Sequence, residues 1–128
     1  MLKKIRHVGM VVKEFEAAIE KFNGFGFRCT EVSEIKEFGI KVAFFPIGDS
    51  LIELLCYTEP ERCDHVLMRK DPINHICFEV DDLETSIRDF EKNGAKLVEG
   101  FPRAGAHGRV AFFYPDTTEN VLIEICQV

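Results

Sequence analysis

The sequence repeats itself. Val42-Ala43-Phe44-Phe45 returns as Val110-Ala111-Phe112-Phe113, four identities in a row at an offset of 68 residues. The same offset carries His7 to His75, Val12 to Val80, Ile19 to Ile87 and Phe22 to Phe90. Beyond the tetrapeptide the offset grows to 71, taking Leu51-Ile52-Glu53-Leu54 to Leu122-Ile123-Glu124-Ile125, so the second turn is longer by three residues. An apolar pattern that recurs at a fixed offset marks two copies of one supersecondary unit, neither of which buries its own apolar face alone.

Each copy reads as strand, helix and three further strands. In the first, residues 5–12 are β-branched and apolar, and Phe15, Ala18, Ile19 and Phe22 fall at helical spacing. Asn23-Gly24 is expected to end that helix in the left-handed conformation. A strand over 26–33 and a hairpin of 40–47 with 50–56 about Gly48-Asp49 complete the copy. In the second, residues 73–80 form the first strand, and Asp81-Asp82 offer N-cap oxygens to a helix carrying Leu83, Ile87 and Phe90. Asn93-Gly94 ends that helix; a short strand at 95–99, a Gly/Pro loop at 100–108 and strands at 109–114 and 121–127 follow. The stretch from Tyr57 to Pro72 breaks the pattern and reads as a connector, long enough to cover a binding site, with one or two helical turns over 64–70. The expected fold class is α+β: two pseudo-symmetric βαβββ modules in one domain, with module one at about 4–57, the connector at about 58–72 and module two at about 73–128.

Composition narrows the function. A hydrophobic share of 46% and a charged share of 30% describe a globular domain. The sequence shows no signal-peptide core and no apolar run near the ~18 residues of a membrane span, so a cytoplasmic protein without a membrane partner is expected. The net charge of −6 argues against nucleic acid, whose phosphates are met by clustered Lys and Arg. Five cysteines without a CxxC pair read as reduced core thiols.

The chemistry lies in four polar residues inside apolar strands. Each copy sets a histidine in its first strand, His7 and His75, and a glutamate in its last, Glu53 and Glu124. A carboxylate between Leu and Ile is costly if buried without a cation. Imidazole and carboxylate together suit Zn²⁺, Co²⁺, Ni²⁺, Mn²⁺ or Fe²⁺. Four such ligands leave positions open to water or substrate on a six-coordinate ion. His65 and His107 have no counterpart in the repeat, so His65 reads as a surface residue and His107 as a ligand contact.

Paired βαβββ modules with these residues resemble the vicinal oxygen chelate (glyoxalase/bleomycin resistance/dioxygenase) superfamily, which includes glyoxalase I, methylmalonyl-CoA epimerases and extradiol dioxygenases. The narrower likeness is to the epimerases. It rests on His7-Val8-Gly9, Gly39 to Pro46, Ile52-Glu53-Leu54-Leu55, His75 to Asp82, and Gly105-Ala106-His107-Gly108 leading to Val121 to Cys126. The chain departs from many of them in Asn74-His75 for His-His, Tyr114-Pro115-Asp116 for His-Pro-Lys, and Phe38 for Gln.

The resemblance implies a metal-dependent epimerase acting on methylmalonyl-CoA or a similar 2-substituted malonyl-type thioester, by 1,1-proton transfer through a metal-stabilised enolate. It implies one divalent ion (Co, Zn, Ni or Mn) on His7, Glu53, His75 and Glu124. Glu124 and Glu53 are the expected catalytic bases, with Glu37 a lesser candidate for the second because Val42 occupies the position some epimerases use. Arg103, His107 and Arg109 are the expected substrate contacts, and a homodimer is the implied assembly. The alternatives are a glyoxalase I-type lactoylglutathione lyase and a non-catalytic ligand-binding or resistance protein of the same fold. Glu53 and a final turn unlike the Asp-Pro-Asp-Gly of glyoxalases speak against a dioxygenase and a glyoxalase respectively.

Overall fold

The computed structural model describes residues 1–59, 61–62 and 73–128. The expected helical turns of the connector, with His65 and Cys63, lie outside the described residues. In chain order the elements are β1 (Leu2–Val11), α1 (Phe15–Gly24), β2 (Glu31–Ile35), β3 (Ile40–Ile47), β4 (Ser50–Tyr57), β5 (Ile73–Val80), α2 (Leu83–Lys92), β6 (Arg103–Gly105), β7 (Gly108–Phe113) and β8 (Ile123–Gln127). A 3₁₀ turn at Pro115–Thr117 separates β7 from β8. Among the described residues no helix is long and apolar enough to cross a membrane. Contacts divide the chain into a first unit, His7–Asn74, and a second unit of His75–Val128 with Met1–Arg6.

In the first unit the strand order is β2-β3-β4-β1, antiparallel except for the parallel β4–β1 pair. One sheet face packs on α1. Phe15, Ala18, Ile19 and Phe22 meet Ala43, Phe45 and Leu54, and the rings of Phe22 and Phe45 are 5.7 Å apart. The other face gathers Val11, Val42, Phe44 and Leu55, with Ile40, Leu51 and Tyr57 beside them.

The second unit repeats the scheme as β5-β8-β7-β6, with β5 and β8 parallel. Here α2 lays Leu83, Ile87 and Phe90 on Ala111, Phe113 and Ile125, and Phe90 stacks on Phe113 at 4.6 Å and 18°. The Phe22–Phe45 and Phe90–Phe113 contacts are the same contact at the repeat offset, and such pairs add about 0.5–1.5 kcal/mol each beyond area burial. The start of β1 is tied into this unit: Lys3 pairs with Glu79 at 3.3 Å and Asp81 N–H donates to the Met1 carbonyl at 3.4 Å.

Four local expectations are corrected. The first helix includes Gly24, and the left-handed residue is Gly26 at φ 105°, because Phe25 and Phe27 N–H groups still reach back to the Phe22 carbonyl. That delays the next strand to Glu31–Ile35 instead of 26–33. The strand expected at 95–99 reduces to one bridge between Leu97 and Phe113. Part of the Gly/Pro loop is itself a strand, Arg103–Gly105, folded onto β7 with Gly105 opposite Gly108. The α2 cap is as expected: Asp82 Oδ1 accepts from Thr85 N–H at 3.1 Å, and its carboxyl is held below the usual range by that bond.

Candidate functional site

Side chains on a strand alternate, and opposite residues of a ladder share a face. In the first unit Glu53 stands opposite Phe44 on β3 and opposite Gly9 on β1. His7, two residues before Gly9, shares that face. Its Nε2 lies 3.6 Å from Glu53 Oε1, and Phe44 meets the imidazole edge-on at 6.1 Å and 65°. His7 is 7% exposed and Glu53 5%. The residues flanking Glu53, Ile52 and Leu54, point the other way, into the α1 core. The apolar neighbours and the buried acid therefore serve different faces of one strand.

The second unit builds the same constellation. Glu124 stands opposite Phe112 on β7 and Cys77 on β5, while Ile123 and Ile125 point into the α2 core. His75 Nε2 lies 3.0 Å from Glu124 Oε1, and Phe112 stands edge-on to the imidazole at 5.4 Å and 76°. Both members of the pair are 5% exposed.

A carboxylate so deeply buried needs a positive partner. An imidazolium or a metal ion provides one, and the nitrogen and oxygen donors match divalent first-row ions. The side chains of His7, His75 and Glu124 each offer a metal-ligating atom. On burial and donor chemistry the residues fit a divalent ion.

Two cysteines expected only as core filler lie on the acid's face of the second unit. Cys77 is 0% and Cys126 3% exposed. The neighbouring Cys126 thiol, burial and the charge of Glu124 push the Cys77 thiol pKa up. The Cys77 thiol in turn holds the Cys126 thiol below its ordinary value. The sequence signal was present at the repeat offsets, where Gly9 becomes Cys77 and Leu55 becomes Cys126.

The expected substrate contacts separate. Arg103 stands opposite Val110 and thus on the face of Phe112 and Glu124; its guanidinium lies 5.9 Å over the Phe101 ring, which meets Phe112 edge-on at 5.2 Å. His107 sits between β6 and β7 with Nδ1 3.5 Å from Arg6 Nη2, and Arg6 also reaches Glu79 at 3.5 Å. Arg109 lies on the opposite face of β7 from Arg103's neighbours Val110 and Phe112. Strand alternation turns it toward the start of α2, where Nη1 pairs with Glu84 Oε1 at 2.5 Å and holds that carboxyl below its usual range. Glu37 is exposed in the turn before β3, and Val42 is fully buried.

Residues 6–113 match the family model of the Glyoxalase/Bleomycin resistance protein/Dioxygenase superfamily. The chain belongs to this superfamily. Within it, the chain is 30% identical over 134 residues to an ethylmalonyl-CoA/methylmalonyl-CoA epimerase of Cereibacter sphaeroides, covering 100% of both chains. It is 29% identical over 140 residues to the mitochondrial methylmalonyl-CoA epimerase of Homo sapiens, covering 98% of this chain and 74% of that one. Among solved structures, a variant of Streptomyces coelicolor methylmalonyl-CoA epimerase in complex with 2-nitronate-propionyl-CoA superposes with a TM-score of 0.90 at 25% identity, over 99% of this chain and 95% of that one. The mixed α/β fold, with eight strands and two helices among the described residues, is the superfamily fold of these epimerases. By these likenesses the protein is an enzyme of the isomerase class, epimerase-like.

Proposed function

We propose that the protein epimerises methylmalonyl-CoA or a similar 2-substituted malonyl-type thioester by moving the proton on the carbon between thioester and carboxylate. The observation that carries the reading is the duplicated buried His–Glu pair, set at equivalent ladder positions in a chain whose relatives are named as epimerases. One pair alone gives a metal two ligands. Two pairs give four, and His7, Glu53, His75 and Glu124 are the ligands proposed for one divalent ion.

A bound divalent ion would supply Lewis-acid stabilisation of the negative charge that develops on the thioester oxygen. The proton chemistry belongs to the chain. Epimerisation needs a base for each face of the planar carbon, and the two buried glutamates, one from each unit, supply them. Glu124 removes one proton and Glu53 returns another. Arg103, on the face of Glu124, meets the substrate's carboxylate or a CoA phosphate with a fork of donors. The Phe44 and Phe112 edges keep both imidazoles in place and water away.

The test is proton exchange. The metal-loaded protein in deuterated water should wash label into the α-carbon of methylmalonyl-CoA or ethylmalonyl-CoA. Absence of exchange with every thioester of this type, together with turnover of a methylglyoxal–glutathione hemithioacetal, would replace the epimerase by the lactoylglutathione lyase reading. Purified protein that retains no divalent ion and turns over neither substrate would favour a binding protein.

A further inference from the structure

The two units are alike in backbone and unlike beneath their glutamates. Opposite Glu53 on the parallel strand stands Gly9, and opposite Glu124 stands Cys77. Two residues beyond each glutamate, on the same face, are Leu55 and Cys126. The sulfur-bearing side chains occur on this face in the second unit alone among the described residues. Cys77 is fully enclosed, Cys126 is 3% exposed, and Cys77 faces Glu124 directly across the parallel β5–β8 ladder. Glu124 sits closer to its histidine than Glu53 does, 3.0 Å against 3.6 Å.

We propose that Cys77 is a positioning residue: its thiol bonds to the Glu124 carboxylate and holds it toward His75, with Cys126 bracing the thiol from the other side. Gly9, the residue opposite Glu53, has no side chain to serve in this way, so the positioning role is peculiar to the second unit. A side chain that orients a metal-ligating carboxylate acts through it and touches neither metal nor substrate. The proposal rests on the reading of Glu124 as a metal ligand.

The experiment measures Co²⁺ affinity by chelator competition, and the visible spectrum of the cobalt protein, in Cys77→Ala, Cys77→Ser and Glu124→Gln. Loss of a partner behind a metal ligand costs on the order of 10–100-fold in affinity. Cys77→Ala should lose about tenfold, at the low end of that range, and shift the cobalt bands. Cys77→Ser, which keeps a donor on the same carbon, should recover most of the loss. Should the alanine variant fail to fold, Cys77→Val keeps the volume without the donor and takes its place.

Wild-type affinity and an unchanged spectrum in the variant lacking the donor would overturn the proposal. So would equal losses in the serine and donor-free variants, which would mean packing alone. If Glu124→Gln also leaves cobalt binding untouched, the metal reading itself fails; if only the Cys77 variants are silent, that reading stands and Cys77 is filler.

Discussion

Phe112 stands opposite Glu124 in the β7–β8 ladder and turns its ring edge to His75, as Phe44 stands opposite Glu53 and faces His7. The two rings differ in depth: Phe44 is 1% exposed, while Phe112 is half-buried. Phe44→Ala should therefore cost about 3–5 kcal/mol, the range for a buried phenylalanine, and Phe112→Ala roughly half as much. Urea unfolding of the two variants checks the order; equal losses would mean that the aromatic shell carries the same load in both units.

Glu124→Gln keeps an oxygen ligand and removes the base. Deuterium exchange into the thioester should fall at least about 100-fold, in line with the loss of a general base, while metal content measured by atomic emission falls less. Full exchange activity in this variant would move the base elsewhere.

The arginines give a paired contrast. Arg103 shares a face with Glu124, and Arg109 is engaged by Glu84 on the helix side. Arg103→Ala should raise the KM for the CoA thioester about tenfold or more, as expected for a charge-assisted contact of roughly 1.5–3 kcal/mol. Arg109→Ala should leave KM within about twofold, since an exposed pair contributes little. Steady-state kinetics on both variants decides it.

Gly108 holds φ 113°, and a Cβ there would press on the Gln127 carbonyl oxygen and lie 3.0 Å from Val128 Cα. Backbone has nowhere to go. Gly108→Ala should destabilise by at least about 1–3 kcal/mol from the left-handed conformation alone. Gly100→Ala, at φ 91° with open space around it, should lose less. Thermal melts compare them.

Asp82 caps α2 and has a lowered carboxyl pKa, chiefly through the Thr85 backbone bond. A depressed carboxylate stabilises the fold above its unfolded pKa of ~3.9 and loses that stabilisation as pH falls through the native value. Asp82→Ala should lower Tm by roughly 3 °C at pH 7, from the usual worth of an N-cap. The gap between variant and parent should close in strong acid.

Much of the fold was legible because two independent periods agree: the strand period of two within each copy, and the copy itself. The same arithmetic marks His7 and His75, and Glu53 and Glu124, as counterparts in the two copies. The misses have local causes. Asn23-Gly24 is a strong helix-stop signal, yet the offset of 68 maps Gly94 onto Gly26, and the left-handed residue is where the repeat puts it. Short β6 was hidden among glycines and a proline, because three residues carry too little pattern to announce a strand. Arg109 shares parity with Ala111 and Phe113, the helix-facing residues, so its side could have been read.

The longer second turn carries a lesson about inheritance. Pro115–Thr117 winds into a 3₁₀ turn, and Glu119 and Asn120 adopt positive φ, yet Glu124 meets Cys77 just as Glu53 meets Gly9. Three inserted residues left the acid's address unchanged. The parallel seam, β4 on β1 and β8 on β5, is thus the ruler that sets the glutamate, and the hairpin is slack rope. Descendants of such a duplication are free to lengthen, shorten or rewrite that loop, trying new shapes at the site's edge while the pair beneath stays in register.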